Sequence, residues 1–246
     1  MTMPQFEYDS TSIYFEEYGS GFPLLLFAPG AMNSIIEMWA NATINPVALY
    51  EDTFRLIAMD QRNAGRSSGP LEPSDPWGAY ARDQLALLDH LGIDRFHVMG
   101  CCIGGSFALK LIEQAPGRVA AAVLQQPVGI TDGNGPLYEQ MWRSWGDWLS
   151  NRPDLTHEDI EKFGNSMWRD DFVVSVSRDF VRTCDTPLLV LPGTDRYHPG
   201  ATGREIAALA PGGGVFEPWT DSPQHVSQAV AAVRAFLQAH IPRDLA

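Results

Sequence analysis

The segment HVMGCCIGGSFALK, residues 97–110, joins an apolar run to a helical pattern through a glycine-rich turn. Such a run is typical of a buried strand, and the residues after it recur at helical spacing. Glycines stand two positions before and two positions after Cys102, which gives the pattern G-x-C-x-G. A sharp strand-to-helix turn needs nearly bare backbone at both positions. Centring the turn on Cys101 would put Met99 and Ile103 there instead, so the pattern favours Cys102 at the apex and Cys101 as a structural residue.

Short apolar runs alternate with longer helical patterns on both sides of this segment, which indicates α/β organisation with a mostly parallel sheet and crossover helices. The run IYFEEYG near the N-terminus predicts a strand of an antiparallel hairpin. Further strands are predicted at 23–30, 54–60, 96–100, 119–127, 187–193 and 213–219, and helices at 79–92, 103–114, 201–210 and 225–240.

The alternation of strands and helices stops between residues 128 and 185, where the sequence predicts two to four helices. We therefore expect a core made of residues 1–127 and 186–246, with residues 128–185 inserted late in the chain as a small helical cap.

Tryptophans follow one another at intervals of three in this insertion, at positions 142, 145 and 148. That spacing predicts one shared helix face, and an aromatic stripe of this kind is more often core than substrate wall. The candidate pocket residues are nevertheless Trp142, Trp145, Met141 and Val128. They predict an apolar or aromatic ligand.

Composition excludes several classes of protein. The net charge is −13, with 17 basic and 30 acidic residues, which opposes binding to nucleic acid or to anionic membranes. Neither a secretory leader nor an apolar run of about 20 residues is visible, so we expect a cytoplasmic protein that acts on a small molecule. Whether it forms a homodimer stays open.

The cysteine and histidine spacing argues against a metal site or a disulfide framework. Three cysteines, two of them adjacent, and six scattered histidines form neither CxxC nor HExxH. We expect no metal and no cofactor.

The G-x-C-x-G turn, together with DQRNAGRS (60–67) and PLLLFAPG (23–30), resembles the α/β-hydrolase superfamily, with cysteine where most members carry serine. The resemblance covers nearly the whole chain. It implies an acid in the turn after the penultimate strand, where GTDRYHP offers Asp195, and a histidine after the last strand, where DSPQHVSQAV offers His225.

The resemblance thus implies a triad in which Cys102 attacks, His225 moves protons and Asp195 orients the imidazole. The backbone N–H groups of Ile103 and Ala31, with Met32 as the next candidate, would form the oxyanion hole.

Alternatives remain for two of these positions. His198 is the rival of His225, while Asp132 and Asp221 are the rivals of Asp195. The other buried thiol and the charged residues of DQRNAGRS are expected to be structural, namely Cys184, Asp60 and Arg62.

These residues predict a cysteine-dependent hydrolase of an ester, thioester or lactone that works through an S-acyl intermediate. Dienelactone hydrolases of this superfamily use the same three residue types. The alternatives are an acyltransferase, a carbon–carbon bond hydrolase and a non-catalytic ligand binder that has kept the fold.

Overall fold

The computed structural model describes residues 5–168 and 172–245. Eight strands form one sheet in the order β1-β2-β4-β3-β5-β6-β7-β8. The first two strands and the β2–β4 pair are antiparallel, and the sheet is parallel from β4 to β8. The bounds are β1 Gln5–Tyr8, β2 Thr11–Tyr18, β3 Phe22–Phe27, β4 Phe54–Met59, β5 Phe96–Cys101, β6 Val119–Gln125, β7 Leu188–Leu191 and β8 Gly213–Val215.

Helices flank this sheet and connect its parallel strands. Their bounds are α1 Pro46–Tyr50, α2 Pro76–His90, α3 Ile103–Gln114, α4 Gly135–Leu149, α5 His157–Met167, α6 Arg178–Arg182, α7 Gly200–Leu209 and α8 Pro223–Ala239. Two 3₁₀ turns, Ala31–Asn33 and Ile36–Asn41, follow β3. In the described part of the chain no helix is long and apolar enough to cross a bilayer.

The predicted α/β class is confirmed, and the predicted strands and helices lie where the sequence placed them, to within a few residues at their ends. The central strands β5 and β6 are buried along their whole length. Parallel strands covered by helices on both faces read as continuous apolar runs, which is why the sequence located them well.

The DQRNAGRS loop is held from within, as expected for structural residues. Asp60 is fully buried and accepts hydrogen bonds from the backbone N–H groups of Ile36 and Arg66. Arg62 is buried as well and makes a two-pronged ion pair with the buried carboxylate of Asp83.

Helices α4, α5 and α6 fill the interval between β6 and β7 that was predicted to be a cap. Residues 169–171 of that interval lie outside the described residues. The N-terminus of α5 is fixed by a capping box between Thr156 and Asp159, an arrangement that satisfies two helix-end donors at once.

The tryptophans of α4 do not share one face. Trp142 and Trp145 are buried, whereas 51% of the surface of Trp148 is exposed. Trp145 packs on Phe163 of α5 and donates from Nε1 to the backbone carbonyl of Asn63 at 3.2 Å. The stripe is therefore mainly core, the more common alternative for such spacing.

Candidate active site

Cys102 sits at the apex of the β5–α3 turn with φ 59° and ψ −119°. A non-glycine residue with positive φ is uncommon and stores strain that the surroundings must hold. Here the backbone N–H of Cys102 donates to the carbonyl of Gln125 in β6 at 3.0 Å. The strained cysteine is thus fixed to the neighbouring strand, at the carboxyl end of the sheet.

The two framing glycines are required by close backbone contacts. A Cβ atom on Gly100 would lie 2.1 Å from the carbonyl oxygen of Gly104, and one on Gly104 would lie 2.2 Å from the carbonyl oxygen of Phe27. Real Cβ atoms do not approach backbone oxygen so closely. The bare positions inferred from G-x-C-x-G are the positions that the turn geometry needs.

Two candidate oxyanion donors come from the helix that follows Cys102 and from the turn after β3. Ile103 is the first residue of α3, where backbone N–H groups have no partner within the helix and the helix dipole is positive. Ala31 begins the turn after β3 with φ 52°, and it lines the same cavity as Cys102. Met32 is buried and does not line that cavity, so Ala31 is the better placed of the two.

Asp195 and His198 form a hydrogen-bonded pair within one turn between β7 and α7. The Nδ1 atom of His198 lies 2.9 Å from Oδ2 and 3.0 Å from Oδ1 of Asp195. A carboxylate only accepts, so Nδ1 is the protonated nitrogen. The backbone N–H groups of Tyr197 and His198 also donate to Oδ1, at 2.8 and 2.9 Å. We call residues 195–198 the acid–histidine turn.

The second ring nitrogen of His198, Nε2, is buried and has no hydrogen-bond partner among the described residues, but His198 and Cys102 line the same cavity and Cys102 affects the charge of the ring. Burial lowers the pKa of His198, but the neighbouring Cys102 and Asp195 outweigh it and raise that pKa to about 9. Burial disfavours the charged form of Asp195 too and so raises its pKa, but the hydrogen bonds from His198 more than compensate. The pKa of Asp195 therefore lies below its usual range. At neutral pH the pair is an imidazolium on a carboxylate.

His225, the histidine chosen from the sequence, is not part of this hydrogen-bonded pair, and its catalytic role stays a prediction. That residue belongs to the first turn of α8, where its backbone N–H donates to Ser222 Oγ at 3.2 Å. Its contacts in the described chain include no hydrogen bond or ion pair with Cys102 or Asp195, and it does not line the cavity around Cys102. The structure brings His198, the rival histidine, to both residues.

A cavity of about 470 Å³ opens above Cys102. Met141 of α4 contributes to it, as expected, but Trp142, Trp145 and Val128 are not among its walls. Trp142 lines a different cavity, of about 460 Å³, between α4 and α5. The cavity around Cys102 is lined by Gly30, Ala31, Asn33, Cys102, Gln140, Met141, Ser144, Tyr197 and His198.

Among the described residues, the rival acids Asp132 and Asp221 and the second cysteine make no hydrogen bond to His198. Asp132 lines a small surface cleft that also includes Asp195. Cys101 ends β5, is buried, and its sulfur accepts from Gln125 Nε2 at 3.3 Å. Burial raises the pKa of Cys101 well above its ordinary value, as expected for an inert thiol.

The chain is similar to several enzymes of known name. One is 2-hydroxymuconate semialdehyde hydrolase of Pseudomonas sp. strain CF600, 29% identical over 131 residues, which are 52% of this chain and 43% of the relative. Another is the dihydrolipoyllysine-residue acetyltransferase component of the acetoin cleaving system of Cupriavidus necator, 29% identical over 132 residues, 54% of this chain and 34% of the relative. The chain thus matches less than half of the length of either relative.

Solved structures extend the likeness over the whole fold. The enol-lactonase from Burkholderia xenovorans LB400 superposes with a TM-score of 0.70 at 21% identity, covering 96% of this chain and 100% of that one. At that identity the match speaks for the fold alone. A family model described as the alpha/beta hydrolase fold matches residues 23–191, which include the turn at Cys102. With its sheet order and its strand-to-helix turn, this chain belongs to the α/β-hydrolase fold family.

Proposed function

We propose that this protein is a cysteine-dependent hydrolase of a small ester, thioester or lactone, with Cys102 as nucleophile, His198 as proton carrier and Asp195 as orienting acid. The observation that carries the proposal is that His198, paired with Asp195, lines the same cavity as a cysteine held at positive φ. A strained apex that exposes a thiol beside a hydrogen-bonded histidine is the arrangement that covalent acyl transfer needs.

The charge on His198 decides how the thiol is activated. With a pKa of about 9, His198 is cationic at neutral pH, and a cation beside a cysteine favours the thiolate. Acylation then begins with attack of the Cys102 sulfur on the carbonyl carbon. The oxyanion that forms accepts hydrogen bonds from the N–H groups of Ile103 and Ala31.

Collapse of this intermediate breaks the bond to the leaving alcohol or thiol, which takes the proton from His198 Nε2. The products of this half are the S-acyl enzyme and a neutral imidazole. Water then attacks the acyl carbon while Nε2 removes its proton, and the acid product leaves as Cys102 regains its starting form. Asp195 keeps Nδ1 protonated throughout, so that Nε2 always faces the reaction.

The cavity supports a smaller and more polar substrate than the tryptophans alone indicated. Its volume is about 470 Å³, and Gln140 and Ser144 of α4 present polar groups at its exposed side. Met141 supplies the apolar contact. We therefore propose a short acyl group against Met141 and a polar remainder toward Gln140 and Ser144.

Hydrolysis of p-nitrophenyl acetate by wild type and by Cys102→Ala tests this proposal. We expect Cys102→Ala to lose turnover while keeping its circular dichroism spectrum and melting temperature. Mass spectrometry of the quenched wild-type enzyme should show one added acetyl group on the peptide that contains Cys102. Cys184→Ala is the matched control, because that thiol is buried outside the cavity. Wild-type rates in Cys102→Ala would overturn the proposal.

The same experiment separates the remaining alternatives. An acyl enzyme that transfers its acetyl group to an added amine faster than to water would identify an acyltransferase. A chain that binds esters in the cavity but never forms the acyl enzyme would be a ligand binder.

A further inference from the structure

We infer that Tyr138, on helix α4, is a positioning residue for His198: its phenol holds the peptide bond that carries the histidine, so α4 sets where Nε2 points. For its activity readout the inference rests on the proposed function. Tyr138 is buried, with 1% of its surface exposed, and lies one helical turn before the cavity-lining Met141.

The peptide between Tyr197 and His198 is held at both of its polar atoms. Its carbonyl oxygen accepts from the Tyr138 hydroxyl at 2.5 Å. Its N–H, which belongs to His198, donates to Asp195 Oδ1 at 2.9 Å. A peptide unit is planar and includes the Cα atom of the residue that follows, so fixing both polar atoms fixes the position of the His198 Cα, from which the imidazole projects.

The Tyr138 hydroxyl is itself oriented. The backbone N–H of Gly129 donates to this oxygen at 3.2 Å, which leaves its single hydrogen for the Tyr197 carbonyl, the nearer acceptor. The ring stacks on Trp168 with centroids 5.4 Å apart. The phenol thus has a fixed direction before it meets the acid–histidine turn.

A second side chain from the same segment supports the turn one residue earlier. Asn134 is buried, and its Nδ2 donates to the carbonyl of Arg196 at 3.1 Å and to the carbonyl of Gly129 at 2.9 Å. The guanidinium of Arg196 in turn donates to the carbonyl of Gly133 at 3.3 Å. Residues 129–138 therefore bond to backbone carbonyls of the acid–histidine turn, while Asp195 accepts from its backbone N–H groups.

The core of the protein adds a steric limit. A Cβ on Gly193 would lie 2.3 Å from the Cβ of His198, so His198 is pressed directly against the end of β7. Loss of the phenol leaves the contact at Gly193 in place but frees the carbonyl of the Tyr197–His198 peptide, so His198 can shift from its present position beside Cys102.

Tyr138→Phe tests the inference, because it removes one oxygen and keeps the ring stacked on Trp168. The first readout is the titration of His198, which is monitored by NMR of protein labelled with ¹³C in its histidines. The variant His198→Asn assigns the His198 signal. The titrating and polar groups that face His198 are Cys102 from the β5–α3 turn and Asp195 and Tyr197 from its own turn, with Tyr138 behind them. We expect the midpoint to fall by about half a pH unit or more, because the imidazolium moves away from the thiol.

The second readout is hydrolysis of p-nitrophenyl acetate. We expect kcat to fall about tenfold with KM changed less than about twofold, since Tyr138 is not among the described residues that line the cavity around Cys102. Tyr80→Phe is the matched control: that hydroxyl is also buried, on α2, and has no hydrogen-bond partner among the described residues, so its loss should leave both readouts at the wild-type value.

An unchanged His198 midpoint in Tyr138→Phe, even with a lowered melting temperature, would show a merely structural role and overturn the inference. Full activity of Cys102→Ala would instead overturn the proposed function, and the NMR titration would still decide the role of Tyr138.

Discussion

Asp195 and His198 are separated by two residues, and their side chains meet at 2.9 Å inside a single turn. The same carboxylate accepts two backbone N–H groups of that turn. Acid and histidine are therefore oriented toward each other by hydrogen bonds within a four-residue turn. Aspartate side chains commonly accept hydrogen bonds from the backbone of their own turn. Here the same carboxylate also orients the imidazole of His198.

Replacing each histidine in turn distinguishes the two candidates for the base. His198→Gln should lower turnover of p-nitrophenyl acetate by about a hundredfold or more, because proton transfer by a positioned side chain contributes at least that much. His225→Gln should stay within about threefold of wild type. The opposite result, with His225→Gln inactive and His198→Gln active, would restore the assignment made from the sequence.

Asp195→Asn should move the alkaline limb of the activity profile to lower pH. His198 has its pKa raised to about 9 in part by Asp195, so the cationic form that protonates the leaving group is present below pH 9 and is lost above it. Without the carboxylate that loss begins at lower pH, and kcat should also fall at least about tenfold because the tautomer is no longer fixed. A pH-stat assay of an alkyl ester measures both effects; an unchanged limb would contradict the role of Asp195.

Cys102→Ser should be a poor enzyme although serine is the usual residue of the family. His198 is held in its turn by Asp195, and a serine oxygen at position 102 would end farther from Nε2 than the larger sulfur atom does, which weakens removal of the hydroxyl proton. We expect at least about a hundredfold loss of kcat/KM. Equal activity of the two enzymes would mean that sulfur has no special role.

Gly104→Ala should prevent the strand-to-helix turn from closing, since its Cβ would meet the carbonyl of Phe27 at 2.2 Å. Backbone strain of this kind destabilises by about 2 kcal/mol or more. Gly117→Ala is the control, because a Cβ there meets nothing within 4 Å. Urea unfolding of the two variants compares them, and equal midpoints would argue against a rigid turn.

His97 should make the protein less stable in mild acid. It is fully buried, and burial lowers its pKa from the ordinary value of about 6.5 to about 4. Its folded-state pKa is below the unfolded one, so the stabilisation is complete above pH 6.5 and is lost as the pH falls toward 4. The loss is about 3 kcal/mol. His97→Leu should flatten the unfolding free energy between pH 6.5 and 4, whereas His157→Gln, at an exposed site, should keep the wild-type slope.

The sequence located the features that depend on local pattern. The turn at Cys102 followed from two glycines, because nothing else fits within about 2 Å of backbone oxygen. The sequence could not rank His198 over His225, because the family pattern places the histidine after the last strand. Only the three-dimensional structure shows which imidazole ring reaches Asp195. The spacing in GTDRYHP was the available signal: an aspartate three positions before a histidine, in a turn bounded by Gly193 and Pro199.

The tryptophan prediction failed for a geometric reason. Three residues advance a helix by about 300°, so each step of three turns the side chain back by about 60°. Trp148 is consequently rotated by about 120° from Trp142, which explains why it is exposed while the other two are buried. A spacing of three residues therefore spreads three side chains over too wide an arc of the helix for all of them to be buried.

Helix α4 is joined to the core near both ends. Tyr138 holds the acid–histidine turn near its start, Trp145 reaches the backbone of Asn63, and Arg152, just beyond the helix, bonds the side chain of Asn63 and the carbonyl of Gly69. Swinging the helix outward would break all of these bonds at once. Substrates should therefore reach Cys102 through a fixed opening beside Gln140 and Ser144, and the width of that opening, more than any closing motion, would limit how large an acyl group the protein accepts.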